Sequence, residues 1–331
     1  MYDHGNEGPT DGKCEPIPES ITLQKTGQKA LDKCIEYQEK YVYPCEKGPK
    51  GELGRSNKCH QSWFFLEDTD DAYPHMVMVG YGENITDVQF LCGGTLISDR
   101  YVLTAGHCTS SRDRGPITYV LVGAPKRSDA DISKIYRVKN IIKHPEYKPS
   151  SKYNDIALIE TEKTIPLHDF LVPACLPAGD PIDEEKVLVT QWGLSQYSGS
   201  DTPQKEVAEI GQELNWNWSN WLLLSDKSHQ EVSCFQKILH KFSTSECKQK
   251  YQPYRLMKQG FDEQTQTCYG DKSKTKTCQG DSGGPIQIKN KKISCMYNVV
   301  GVTSIGSVGE PGIYTRVLNY VPWIESIVWP N

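Results

Sequence analysis

Short β-prone runs dominate the chain beyond about residue 74. Met76-Val77-Met78-Val79-Gly80-Tyr81, Phe90-Leu91-Cys92, Thr95-Leu96-Ile97, Tyr101-Val102-Leu103-Thr104 and Tyr119-Val120-Leu121-Val122 are parted by Gly, Asp, Asn and Ser. The pattern resumes over 187–191, 233–241, 285–289, 298–304 and 312–317. Runs this short, bounded by turn residues, predict an all-β fold of sandwich or barrel type in two β-rich halves. Over 28–40, Ala30, Leu31, Cys34, Ile35 and Tyr37 recur near a helical spacing and predict one short helix. At the other end, Tyr320, Val321, Ile324, Ile327 and Val328 share one face behind Pro322 and predict a closing helix over 319–329. Two stretches break the pattern. Residues 1–61 are rich in Gly, Pro, Lys and Glu, as in Glu46-Lys47-Gly48-Pro49-Lys50-Gly51-Glu52, and read as a poor core former. Residues 206–231 carry Trp216, Trp218 and Trp221 in close succession and read as a large surface loop.

The length of 331 residues allows one large or two small domains. Charged residues make up 24% and the net charge is -5, so no basic excess points to nucleic acid or to an anionic membrane surface. No stretch approaches the roughly 20 apolar residues of a membrane span; the longest candidate is Trp221-Leu222-Leu223-Leu224. The 12 cysteines include no Cys-x-x-Cys pair, which argues against zinc ribbons and thioredoxin-like sites and for an oxidised, secreted protein. Two glycosylation sequons agree, Asn84-Ile85-Thr86 and Asn217-Trp218-Ser219. The opening Met1-Tyr2-Asp3-His4-Gly5 lacks the basic start and apolar core of a secretory leader. The true start is therefore expected upstream, or the chain is not the full precursor.

The most informative stretch is Cys278-Gln279-Gly280-Asp281-Ser282-Gly283-Gly284-Pro285. Glycines on both sides of a serine permit a tight turn that exposes the hydroxyl and aims backbone N–H groups at one point, as an oxyanion hole requires. A serine hydroxyl is a weak nucleophile until a base takes its proton, and the base needs a buried acceptor to hold its tautomer. His107, in Leu103-Thr104-Ala105-Gly106-His107-Cys108, and Asp155, in Asn154-Asp155-Ile156-Ala157-Leu158, supply those two groups. Gly280-x-Ser282-x-Gly284 also matches the nucleophile elbow of α/β-hydrolases, in which the histidine follows the serine. None of the 8 histidines follows Ser282, so that alternative fails. Such acyl transfer needs no metal or cofactor, and no ligand spacing suggests one.

These three contexts, in the order His107, Asp155, Ser282, resemble the trypsin/chymotrypsin-like serine peptidases from about Tyr73 to the end of the chain. Tyr73-Pro74-His75-Met76, Gly80-Tyr81-Gly82 and Cys92-Gly93-Gly94-Thr95-Leu96-Ile97-Ser98 resemble the clip-domain and venom-type proteases of insects in particular. The resemblance implies two packed six-stranded antiparallel β-barrels with a C-terminal helix. It makes residues 62–331 the peptidase domain and 1–61 a pro-segment or partial clip-like linker. It implies Ser282 as nucleophile, His107 as general base and then acid, Asp155 as orienting carboxylate, and the N–H groups of Gly280 and Ser282 as the oxyanion hole. Ser304 and Gly306 match the segment that pairs with an extended substrate, and Asp281 the aspartate of the activation pocket. It implies disulfides Cys92–Cys108, Cys247–Cys268 and, as a tether to the pro-segment, Cys34–Cys175. Cys14, Cys45, Cys59, Cys234, Cys278 and Cys295 remain open among 15 connectivities, with Cys45–Cys59 a first guess.

Three departures stand out. Counting back from Tyr73, the expected Ile/Val-Val/Ile-Gly-Gly terminus is replaced by Ser62-Trp63-Phe64-Phe65-Leu66, and the nearest basic residues are Arg55 and Lys58. Lys276 stands where an aspartate would select basic substrates, which implies acidic preference, no productive binding, or a side chain swung out to solvent. The loop 307–312 lacks a cysteine for Cys278. The expectation is a secreted serine endopeptidase, made as a zymogen and acting on a protein or peptide substrate. An upstream activating protease and protease inhibitors would be its further partners. The alternative is a non-cleaving homologue with a binding or adaptor role. A third reading, imperfect gene assembly over 41–66 and 207–233, would explain the missing leader and activation site together. The intact triad favours the endopeptidase.

Overall fold

The computed structural model describes residues 14–59, 73–124, 131–178, 184–194, 232–270, 282–306 and 311–330. The Trp-rich stretch 206–231 lies outside them. Helix α1 (Lys29–Tyr37) runs into one π-helical turn (Gln38–Val42) and a two-stranded ribbon, β1 (Cys45–Lys47) against β2 (Leu53–Arg55). The ribbon reverses at Gly51, whose φ of +86° is open to glycine at little cost.

The first β-rich half contains β3 (Met76–Tyr81), β4 (Gln89–Leu96), β5 (Tyr101–Thr104), the two-residue β6 (Ser110–Ser111), β7 (Gly115–Val122), β8 (Ile135–Lys143) and β9 (Ala157–Thr161). Their order is β3-β4-β5-β9-β8-β7, and β7 returns to β3, which closes a six-stranded antiparallel barrel with β6 as a flap on β7. The second half contains β10 (Lys186–Leu194), β11 (Val232–Lys241), helix α2 (Thr244–Lys250), β12 (Gln266–Gly270), β13 (Pro285–Lys289), β14 (Tyr297–Ile305), β15 (Gly312–Arg316) and helix α3 (Val321–Val328). Here the closed order is β10-β11-β12-β15-β14-β13, again antiparallel. The expected pair of six-stranded barrels with a C-terminal helix is the observed architecture.

Period-two patterning explains the placement of β3. Val77, Val79 and Tyr81 fill the first barrel with Leu96, Val102, Val120 and Ile159, while Met76 and Met78 point the other way into two smaller clusters. Val187, Val189, Leu239, Tyr269, Ile286, Val300 and Tyr314 fill the second. Between them Leu103, Ala105, Ile156 and Leu158 meet Val299, Val302 and Val317, and α3 seals this layer with Val321, Ile324 and Val328. Two strands are not legible as apolar runs. β8 carries Arg137, Lys139 and Asn140, and β12 buries Gln266 and Thr267 in place of aliphatic residues. Helix α2 has a sequence signal that apolar periodicity overlooks, the capping box between Ser243 and Glu246.

The amino-terminal segment has a core only because it shares one. Ile17, Cys34, Ile35, Val42 and Tyr43 pack with Val172, Cys175, Ile293 and Met296 of the barrels. Gln38 is fully buried there; its amide donates to the carbonyls of Ile21 (2.8 Å) and Ser294 (3.0 Å), and its oxygen accepts from Thr22 (2.5 Å). Lys29 donates to the Trp329 carbonyl, and the Glu325 carboxylate accepts from the Ala30 N–H at the start of α1. Disulfides Cys34–Cys175 and Cys59–Cys295 bind the segment to the barrels, and Cys14–Cys45 closes its own loop. The guess of Cys45 with Cys59 is thereby corrected. Cys59 faces the barrel surface beside Cys295, whereas Cys45 lies on the ribbon beside Cys14.

The two barrels also meet through a buried polar chain. His75, just ahead of β3, bonds through Nε2 to Oε1 of Gln287 on β13, and the Gln287 amide donates to Thr190 Oγ1 on β10 (3.3 Å). Burial pushes the His75 imidazole down to about 4, against a smaller upward pull from Gln287. A folded-state value below the unfolded 6.5 means that the neutral form is the one stabilised. That stability is complete above pH 6.5 and is lost as the pH falls through about 4. Urea denaturation across this window is expected to show a fall in stability in the wild type and a flatter profile in His75→Gln. Equal slopes in the two proteins would assign the acid sensitivity elsewhere.

Candidate active site

The segment carrying His107 leaves β5 at Thr104 and turns at once through a single 3-10 turn, Gly106–Thr109. Three contacts fix that turn. The Thr109 hydroxyl donates to the Gly106 carbonyl (2.7 Å), the Tyr81 hydroxyl to the Cys108 carbonyl (2.5 Å), and a disulfide joins Cys108 to Cys92 on β4. Gly106 has no room for a side chain, since a Cβ would stand 2.9 Å from the Tyr147 ring.

Asp155 enters from the loop before β9 and is fully buried. Asn154 ahead of it has φ +51°, and its side-chain oxygen accepts from the Tyr320 hydroxyl (2.8 Å), which holds the turn that aims the carboxylate inward. Oδ1 of Asp155 accepts from the His107 backbone N–H (2.8 Å), and Oδ2 lies 2.7 Å from His107 Nδ1. The Ser304 hydroxyl also donates to Oδ2 (2.5 Å), the Thr315 hydroxyl donates to the Asp155 carbonyl (3.0 Å), and the Lys152 ammonium stands 3.7 Å from Oδ2. Burial by itself raises the carboxyl's proton affinity. The hydrogen bond and charge of His107, the charge of Lys152 and the hydrogen bond from Ser304 outweigh it and hold Asp155 below its ordinary value. An ionised carboxylate can only accept, so Nδ1 of His107 carries the proton and Nε2 is left free as a base. Nε2 looks past the Cys108 sulfur, at 3.9 Å.

Ser282 is half-buried at the turn into β13, which presses against the first barrel. Its carbonyl accepts from the Gly93 N–H on β4 (2.9 Å), and the Gly283 N–H donates to Thr303 on β14 (2.9 Å). Gly283 has φ +79°, and a Cβ there would stand 2.6 Å from the Gly93 carbonyl and 3.1 Å from the Cys108 sulfur. The turn of Ser282 thus lies against the disulfide that fixes the turn of His107. His107, Asp155 and Ser304 are in direct contact across the barrel seam.

Ser304 is the extra residue of a bulge between Thr303 and Ile305 of β14, which is how its side chain points at Asp155. Gly306 follows at the exposed end of the strand, with open space where a Cβ would be. Disulfide Cys247–Cys268 joins α2 to β12. Asn84 is exposed ahead of a 3-10 turn. Gly280, Asp281, Lys276, Cys278 and Asn217 lie outside the described residues, as does the side chain of Cys234. Lys152, Thr315 and Tyr320 were not expected at the site, and nothing in their local sequence marks them. Among the described residues no group of His, Cys, Asp or Glu could hold a metal ion.

The Trypsin family profile matches residues 65–217 and 224–324. The chain is 32% identical over 275 residues to the serine protease Hayan of Drosophila melanogaster, covering 78% of this chain and 38% of that protein. It is 29% identical over 289 residues to the phenoloxidase-activating enzyme of Bombyx mori (78% and 59%), and 26% identical over 289 residues to the CLIP domain-containing serine protease B15 of Anopheles gambiae (80% and 69%). The chain therefore spans 38% to 69% of the length of these relatives.

A hydrogen bond to a charged acceptor contributes about 1.5–3 kcal/mol. Ser304→Ala is accordingly expected to lower unfolding stability at pH 7 by about 2 kcal/mol. Asp155 is held below 3.8 in the fold, so its contribution is complete above that pH and is lost as the pH falls through the folded value. The cost of Ser304→Ala is expected to shrink there and nowhere higher; a cost independent of pH down to acid unfolding would contradict the assignment.

Proposed function

Because the chain belongs to the trypsin family, we propose that it is a serine endopeptidase that hydrolyses peptide bonds of a protein substrate through an acyl-enzyme. The observation that carries this reading is the Asp155–His107 pair, in which one buried carboxylate accepts from both the backbone N–H and the ring Nδ1 of His107. Ser282 attacks the scissile carbonyl, His107 Nε2 takes the hydroxyl proton and returns it to the leaving amine, and Asp155 stabilises the imidazolium between the two steps. The N–H groups of Gly280 and Ser282 receive the developing oxyanion. Water then repeats the sequence on the ester. Five disulfides among the described residues support secretion into an oxidising compartment. No helix among the described residues is long and apolar enough to cross a membrane.

A zymogen form is part of the proposal, with Asp281 as the group that a new amino terminus would meet. One observation favours the alternative of a non-cleaving homologue. The two basic residues nearest the expected cut are both engaged: Arg55 bonds to the carbonyls of Glu15 and Tyr43 and to the Glu39 carboxylate, and Lys58 pairs with Glu46. Cys59, next to Lys58, is joined to Cys295.

Labelling by a fluorophosphonate probe separates the two. The wild type is expected to label after limited proteolysis ahead of Tyr73, and Ser282→Ala not at all. Absence of labelling in intact and nicked protein, both folded by circular dichroism, would establish the non-cleaving reading instead.

A further inference from the structure

Lys152 is placed unlike an ordinary surface lysine. Its side chain is only 18% exposed, and its ammonium turns inward, donating to the Ser304 carbonyl at 3.0 Å and standing 3.7 Å from Asp155 Oδ2. The residue is also held at its backbone. Its N–H donates to the Leu256 carbonyl (2.9 Å), and its own carbonyl accepts from the buried Gln266 amide (3.0 Å) on β12. Next to it, the Tyr153 hydroxyl donates to the Gly260 carbonyl and accepts from the Gln259 N–H. A loop of the first barrel is thus pinned to the second in the orientation that delivers the ammonium to the catalytic carboxylate.

Two features of the acceptors give this contact a consequence. Ser304 is the bulge residue of β14, so its carbonyl is outside the regular ladder and free to take the ammonium, while its hydroxyl takes the other side of Oδ2. Lysine is strongly hydrated, and it surrenders that hydration only where charged or strongly polar acceptors replace the water. Here a carboxylate and a carbonyl replace it. The same carboxylate receives the imidazole, so a full positive charge sits on the far side of the hydrogen bond that orients His107.

We propose that Lys152 is a positioning residue of this site, whose ammonium supplies a countercharge to Asp155 and braces the Ser304 bulge, so that the Asp155 carboxylate that orients His107 is held in part by a cation from the adjoining loop. The inference rests on the endopeptidase reading for its kinetic form, though not for its electrostatics. The charges acting on Asp155 are those of His107 and Lys152. Tyr147 and Tyr320 also face it, but burial keeps both phenols neutral. Glu146 and Asp262 act on Tyr320. Lys152 is therefore the permanent charge opposite the pair among the described residues.

The test uses Lys152→Met, which keeps most of the unbranched side chain and removes the charge, and Lys152→Arg, which keeps the charge. With a cation removed, the imidazolium is easier to form, so the acid limb of kcat/KM in Lys152→Met is expected to move up by about half to one pH unit. Lys152→Arg is expected to restore the limb. A merely structural role would lower activity evenly across pH without moving it. The same titration is read without turnover by NMR of the His107 ring in a Ser282→Ala background, with and without Lys152→Met. A shifted His107 titration, alongside a protein with Ser282 intact that cleaves no peptide after nicking, would uphold the inference and defeat the endopeptidase reading. An unshifted limb and an unshifted ring titration, in Lys152→Met protein with wild-type circular dichroism, would overturn the inference whatever the activity.

Discussion

A single buried carboxylate holds the centre of this molecule together. Asp155 has no access to water, and each of its oxygens is claimed: Oδ1 by the His107 backbone, Oδ2 by the His107 ring, the Ser304 hydroxyl and the Lys152 charge. An ionised group in such a place is tolerated only when hydrogen bonds and a countercharge replace its hydration. The partners come from both barrels, so the carboxylate demands that the two be docked before its charge is accommodated. Docking and the geometry of His107 are therefore one event. The apolar layer beneath it, from Leu103 and Ile156 to Val302 and Ile324, supplies the burial that makes the demand strict.

The amino-terminal segment shows the same dependence in another form. On its own, residues 14–59 have too little aliphatic surface to order themselves, and their cluster closes only with Val172, Ile293 and Met296 of the barrels. Two disulfides to the barrels lower the entropy that ordering must overcome. Gln38 illustrates the result, since a fully buried amide is affordable only with its donors and acceptor met, and one of those partners is the Ser294 carbonyl. The described part of the segment shares a core with the barrels. A cut after Lys58 would leave Cys59 joined to Cys295, while Cys34–Cys175 would retain the released piece.

Much of this was readable along the chain, for a local reason. Val77, Val79 and Tyr81 alternate because a strand has two faces, and Ala30, Cys34 and Ile35 repeat because a helix has one apolar stripe; neither needs a distant partner to be recognised. His107, Asp155 and Ser282 stood out as candidates because a serine between glycines needs a base and a buried acceptor, and because no histidine follows Ser282 the competing hydrolase order was excluded. β8 and β12 escaped notice because polar residues interrupt their apolar pattern; Lys139 and Asn140 of β8 reach Glu160 of β9, and Gln266 of β12 bonds to the Lys152 carbonyl and the Asp262 N–H. What only the tertiary structure decided are pairings between residues far apart in sequence. These include Ser304 and Lys152 on Asp155, His75 on Gln287, and Cys14 and Cys59 with Cys45 and Cys295. A polar side chain carries its capacity to bond in its chemistry, but which group receives that bond depends on which elements closure of the two barrels brings within about 3 Å.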